Sequence, residues 1–399
     1  MIAYNTTTLD NIRLVKKAKG WYARQLLTTE QLAAATDRYT INFYTPHLFI
    51  KIGLFIFTWV SIGAAVGLFS LFFMGLLSSA NGDAAIALEC LLFAAGCIVV
   101  LEALIRQKKL HRSGIDEALL YAALCFVASA IAFLLPNWFN NGSNNALSFS
   151  LLMLPVLAAA VVRYGDALVA FALALCSYVV FFLLILKLGA IAKLVMPFAL
   201  MLLSVFIYII TKRARHNDRL RHWQTALSVF EATALVVFYL SGNYYIIRES
   251  GIEFFDLHLA PGSDIPLAFF FYIFTAIVPV IYLFYGLKHK DRLLLWVALL
   301  ALAAGAVTFK YYFSTGHPEI ILTLAGMALV GVAYAAIRYL KTPRHGLTFE
   351  QDPDKDSFLQ TNAEALLQAR TFGHSATAPA HTTEFGGGSG GGGGANSSW

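Results

Sequence analysis

The chain has 399 residues, 58% of them hydrophobic and only 13% charged. Soluble domains are nearer about 45–50% apolar and about 25% charged. Water-soluble, disordered and nucleic-acid-binding classes are therefore excluded, and a polytopic membrane protein is expected. The formal charge of +6, from 29 Lys and Arg against 23 Asp and Glu, is in this setting a signal of topology, because cytoplasmic loops collect Lys and Arg.

In chain order, residues 1–46 read as short cytoplasmic helices. Leu14, Ala18, Trp21, Tyr22 and Leu26 follow a 3.6-residue period among basic neighbours. A helix resting on anionic headgroups is expected, with partner docking as the alternative. Thr28 followed by Gln31 reads as a capping box for a second helix over 30–39.

Residues 47–340 read as a transmembrane bundle. Apolar runs of about 20 residues, enough to cross a bilayer, recur ten times: 48–75, 84–104, 116–136, 147–163, 167–187, 191–211, 224–246, 265–286, 293–312 and 319–340. The first run lies behind a charged segment, so the first helix itself is expected to direct insertion. One set of loops carries thirteen Lys and Arg, among them Arg112, Arg163, Arg215 and Lys288, whereas the alternate loops carry only Lys187, Lys193, Arg248 and Lys310. Both termini fall on the basic side, so N-in and C-in is expected, which requires an even number of spans. The longest outer loop, 247–264, ends on Asp264, expected to cap the eighth span. Residues 341–399 are polar and end in a Gly run, the composition of a largely disordered cytoplasmic tail. Asp352-Pro353-Asp354 imitates the start of an EF-hand, but Ser357 and Ala363 stand where the turn Gly and the bidentate Glu belong, which argues against calcium there.

Four short stretches carry a likeness to known proteins: Gly20-Trp21 with Leu26-Leu27-Thr28-Thr29-Glu30-Gln31, His111-Arg112-Ser113-Gly114-Ile115-Asp116-Glu117, Lys310-Tyr311-Tyr312-Phe313, and Arg338-Tyr339-Leu340-Lys341. In these the chain resembles a bacterial family of multi-pass membrane proteins known as a domain of unknown function. The resemblance implies a bacterial inner membrane and imports no catalytic or binding residue.

Ionisable groups inside a membrane are costly and mark function. Glu231 leads: Gln224, Ser228 and Glu231 share one face of the seventh span at i, i+4, i+7. A carboxyl there suits a proton or cation site, and a structural hydrogen bond is the plainer alternative. Glu89 in the second span is next, near its outer end. Glu102 has Arg106 one turn on, while Asp116, Glu117 and Asp166 open helices, where carboxylates favour the positive end of the dipole. Pro155, Pro197 and Pro279 fall inside spans, where each is expected to kink its helix and free a carbonyl. Gly63 with Gly67, and Ala301 with Gly305, are expected to pack against neighbouring helices. Cys90, Cys97, Cys125 and Cys176 lie in apolar runs and read as buried free thiols. No catalytic, cofactor or metal motif is present. The expected class is an all-α bundle of about ten spans whose one certain partner is the lipid bilayer. Its best functional reading is a small-solute or proton-linked transporter of unknown substrate. The alternative is a non-transport scaffold or regulator that engages protein partners through its tails.

Overall fold

The structure, a computed structural model, describes residues 2–312 apart from Arg24, Thr45, 78–81, 136–141 and 256–263, together with Gly326, Met327, Val330, Gly331, Tyr334 and Arg338. The described residues are helical, in twelve α-helices. Two short helices come first, α1 (Thr6–Ala23) and α2 (Thr29–Arg38). Then follow α3 (Leu48–Leu77), α4 (Gly82–Lys108), α5 (Ile115–Leu134), α6 (Gly142–Tyr164), α7 (Ala167–Leu186) and α8 (Ala192–Arg215). The last four are α9 (Gln224–Leu240), α10 (Tyr244–Phe255), α11 (Ala268–His289) and α12 (Arg292–Tyr312).

Among the described residues nine helices are long and apolar enough to cross a membrane: α3 to α9, α11 and α12. They match the first nine expected spans. The tenth, 319–340, and the tail 341–399 lie outside the described residues, except for the six positions named above. Phe57, Leu202, Phe269 and Trp296 are more than two-thirds exposed, an apolar exterior that a water-soluble fold would not leave open. The chain is an all-α multi-pass membrane bundle.

Antiparallel hairpins build it: α4 with α5, α6 with α7, α8 with α9, and α11 with α12. One core gathers Leu101, Leu119, Leu120, Leu157, Val161 and Val169 from α4 to α7. A second gathers Leu235, Tyr239, Tyr282, Val297 and Ala301 from α9, α11 and α12. Helix α9 joins the two, because it touches α7, α8, α11 and α12.

Several expectations are corrected. The seventh span ends at Leu240, not at 246, and the chain breaks before restarting as α10. Glycine is needed at the break: a Cβ on Gly242 would come within 2.6 Å of Phe274 and Met201 side-chain atoms. Asn243 then opens α10, its Oδ1 accepting from the Tyr245 N–H at 3.0 Å and from the Thr308 hydroxyl at 3.0 Å. Asp264 does not cap α11, which starts four residues later behind Leu267. Its carboxylate instead accepts from the hydroxyls of Tyr244 at 2.6 Å and Tyr272 at 2.9 Å. Of the two small-residue pairs, Ala301 is buried and Gly305 approaches the Tyr239 hydroxyl, but Gly63 and Gly67 face open space among the described residues. Of the cysteines only Cys97 is buried; Cys90 and Cys176 are half-buried and Cys125 is exposed.

The capping box at Thr28 and Gln31 forms in both directions. On α1, Val15 and Ala18 pack inward, whereas Leu14, Trp21 and Tyr22 stay exposed. The side turned to the bundle is set by anchors rather than by the apolar stripe. The Ala3 N–H donates to the Arg163 carbonyl at 2.7 Å, and Arg221 binds Asp10 at 2.5 Å.

Candidate functional site

Helix α8 ends in a basic turn, Lys212-Arg213-Ala214-Arg215, which suits the negative end of its dipole. A 3₁₀ turn over Asp218–Trp223, capped by Asn217, folds the chain back so that α9 runs antiparallel beside α8. The last carbonyls of a helix lack intrahelical donors. The Gln224 side-chain amide fills one such vacancy, donating to the Arg215 carbonyl at 2.9 Å. One turn further, the Ser228 hydroxyl donates to the Gln224 carbonyl at 2.8 Å.

Glu231 comes next on this face. It is 1% exposed, and its carboxylate takes a hydrogen bond from Nη1 of Arg215. The structure thus gathers three of the four candidate polar residues, Gln224, Ser228 and Glu231, near one arginine, and leaves Glu89 apart. Arg215 was not singled out by sequence, because it is one of five basic residues, Lys212, Arg213, Arg215, Arg219 and Arg221, between two spans. No spacing rule links an arginine to a carboxylate across a turn.

Arg215 has a second exposure. Its side chain is 34% exposed, and it lines a cavity of about 550 Å³ together with Lys212, Ser228, Lys290, Asp291 and Arg292. Lys212 donates to the Tyr208 hydroxyl at 2.7 Å. Asp291 caps α12, accepting from the Leu293 N–H at 3.1 Å. An open polar cleft at the basic end of the bundle is therefore bordered by the arginine side chain that also holds a buried carboxylate.

The remaining candidates lie elsewhere. Glu89 accepts from the Ser70 hydroxyl of α3 at 2.5 Å, towards the opposite end of the bundle from Glu231. Pro155, Pro197 and Pro279 lie within α6, α8 and α11, each of which continues past its proline. Pro197 lines an apolar chamber of about 320 Å³ with Phe182, Phe198, Leu240, Ile247 and Phe271. Pro279 has no N–H to give to the Thr275 carbonyl, and the Tyr239 hydroxyl reaches that oxygen at 3.4 Å.

The carboxylates at the helix ends are each engaged. Glu102 is forked by Arg163 through two bonds of 2.8 Å, a stronger partner than Arg106 at 3.7 Å. Asp116 is buried and accepts from the Arg112 N–H at 2.8 Å, from the Ser113 N–H and hydroxyl at 2.8 and 2.9 Å, and from the Tyr4 hydroxyl at 3.2 Å. Glu117 pairs with Lys51 at 2.6 Å. Asp166 caps α7 and takes the Tyr121 hydroxyl at 3.1 Å. Burial, and then Arg112 and Lys51 close by, push His111 beside this cluster down to about 4. Among the described residues no group of three or more His, Cys, Asp or Glu comes together to hold a metal ion.

No family model, no curated protein and no solved structure matches this chain. The likeness of the four short stretches to bacterial membrane proteins therefore rests on those residues alone.

Proposed function

We propose that the protein is a small-solute transporter, proton-linked through Glu231, with the Arg215–Glu231 pair as its switch. One observation carries this reading: a fully buried carboxylate within a spanning helix is held by an arginine that also lines a polar cavity. Burying an ion pair gains little stability over an apolar pair, so its retention favours a working role. On this reading the basic end faces the cytoplasm, with residues 1–46 and 341–399 as cytoplasmic segments, and the membrane is a bacterial inner membrane.

The test is flux. The protein is reconstituted in liposomes holding a pH-sensitive dye and challenged with a panel of carboxylates, phosphates, amines and sugars. A solute-dependent pH change that Glu231→Gln abolishes supports the proposal. If every solute gives the signal of empty liposomes, the transport reading fails.

A second reading, a membrane scaffold, is favoured by the exposed Leu14, Trp21 and Tyr22 side chains on α1. It predicts that replacing Leu14, Trp21 and Tyr22 with Ser strips co-purifying proteins while leaving the bundle folded. Unchanged co-purification counts against it.

A further inference from the structure

We propose that the cavity at the end of α8 binds a small carboxylate or phosphate anion, which takes Arg215 in exchange for Glu231. This names the substrate class of the site above and rests on the transport reading only for the claim that the anion then crosses the membrane.

Charge is the first argument. Lys212, Arg215, Lys290 and Arg292 line the cavity against one acidic lining residue, Asp291. Asp291 is committed to the first turn of α12, so part of its charge answers the helix dipole. A concave site with an excess of one sign of charge concentrates counter-ions.

Geometry is the second. A guanidinium carries five N–H donors in a fixed fork suited to carboxylate and phosphate. Glu231 is held through Nη1, while the same side chain is one-third exposed and borders the cavity. An incoming anion oxygen therefore meets the same group that neutralises Glu231.

The exchange fixes the proton count. When the anion takes the guanidinium, Glu231 is left buried without its cation, and a buried lone carboxylate is neutralised by taking a proton. That proton is drawn from solvent water. For a monoanion the site gains one negative and one positive charge, so anion and proton are bound together with no net charge. When the anion leaves, Glu231 returns its proton to water and recovers Arg215.

The experiment uses the full-length protein in phosphatidylcholine nanodiscs, titrated by calorimetry with acetate, succinate and inorganic phosphate in two buffers of different ionisation enthalpy. The expected result is binding of at least one of these anions with uptake of about one proton per anion. Glu231→Gln should bind roughly tenfold tighter, because Arg215 is then free, and without proton uptake. The double variant Arg215→Gln with Glu231→Gln removes both charges of the pair and should fold yet bind nothing. Absence of binding in both the wild type and Glu231→Gln overturns the proposal, and so does proton uptake that persists in Glu231→Gln. Binding that needs phosphatidylglycerol in the disc, with no response to the soluble anions, makes this a headgroup site and overturns the substrate assignment. An anion that binds but is not carried into liposomes defeats the transport reading and leaves the site standing. Transport of a neutral or cationic solute by a protein that binds no anion does the reverse.

Discussion

The Tyr239 hydroxyl on α9 reaches the Thr275 carbonyl on α11 at 3.4 Å, the oxygen that Pro279 deprives of its helical donor. A buried carbonyl without a donor is costly, so the proline in one helix and the tyrosine in another should be energetically coupled. Tyr239→Phe is expected to cost about 1 kcal/mol in the wild-type background. It should cost less in Pro279→Ala, where the restored N–H serves Thr275. Thermal unfolding of the four proteins of this cycle in one detergent checks it; strictly additive losses refute the coupling.

Glu102 and Arg163 give a second prediction. The forked pair joins α4 to α6 at the basic end. Arg163→Ala should lower stability by about 1–2 kcal/mol, a figure reduced because the arginine side chain is 38% exposed and solvent screens it. Arg163→Lys should not restore the loss, since an ammonium cannot make two parallel bonds. Equal melting temperatures for the Lys variant and the wild type would show that charge alone matters.

His111 sets a pH dependence. Its Nδ1 is buried without a hydrogen-bond partner, and its ring lies against Tyr4 and Phe43. Burial first, then Arg112 and Lys51, hold its pKa at about 4, against the opposing pull of Asp116. The folded state therefore prefers the neutral ring. The stabilisation is complete above the ordinary value of about 6.5 and is lost as pH falls from there towards about 4. The N-terminal segment packed on His111 should loosen in that window, read as faster proteolysis or hydrogen exchange of α1. His111→Phe should flatten the response; an unchanged pH profile in that variant excludes His111 as its origin.

Gly242 supplies the fourth. Any side chain there meets Phe274 and Met201, so Gly242→Ala should cost about 1–3 kcal/mol through overpacking. Phe274→Leu should recover part of that loss. A Gly242→Ala protein as stable as the wild type would mean that the helix break does not depend on this close approach.

These positions also mark what sequence could show. Nine spans were legible because about 20 apolar residues in a row have few alternatives. The end of α9 was not. Residues 241–246 are Ser-Gly-Asn-Tyr-Tyr-Ile, apolar enough on average to extend a span, and the break is made by tertiary contacts: Phe274 against Gly242, Thr308 on Asn243. The Gln224, Ser228 and Glu231 face was legible from periodicity, yet Arg215 was hidden by its basic neighbours. The acidic residues at helix starts suggested dipole effects only. Asp116 gathers donors from Arg112, Ser113 and Tyr4, and the last of these lies 112 residues away. Asp264 was misplaced as a cap because the tyrosines that hold it lie 20 residues upstream and 8 downstream.

Glu231 and Ser241 stand at two levels of the α9 rod, ten residues apart and so about 15 Å along the axis. At one level a charge clasps the neighbouring helix; at the other the main-chain ladder stops beside an apolar chamber. A helix this short does not stretch, so a displacement of the carboxylate along the axis would reach the break, where Phe274 packs on Gly242 and Thr308 holds Asn243.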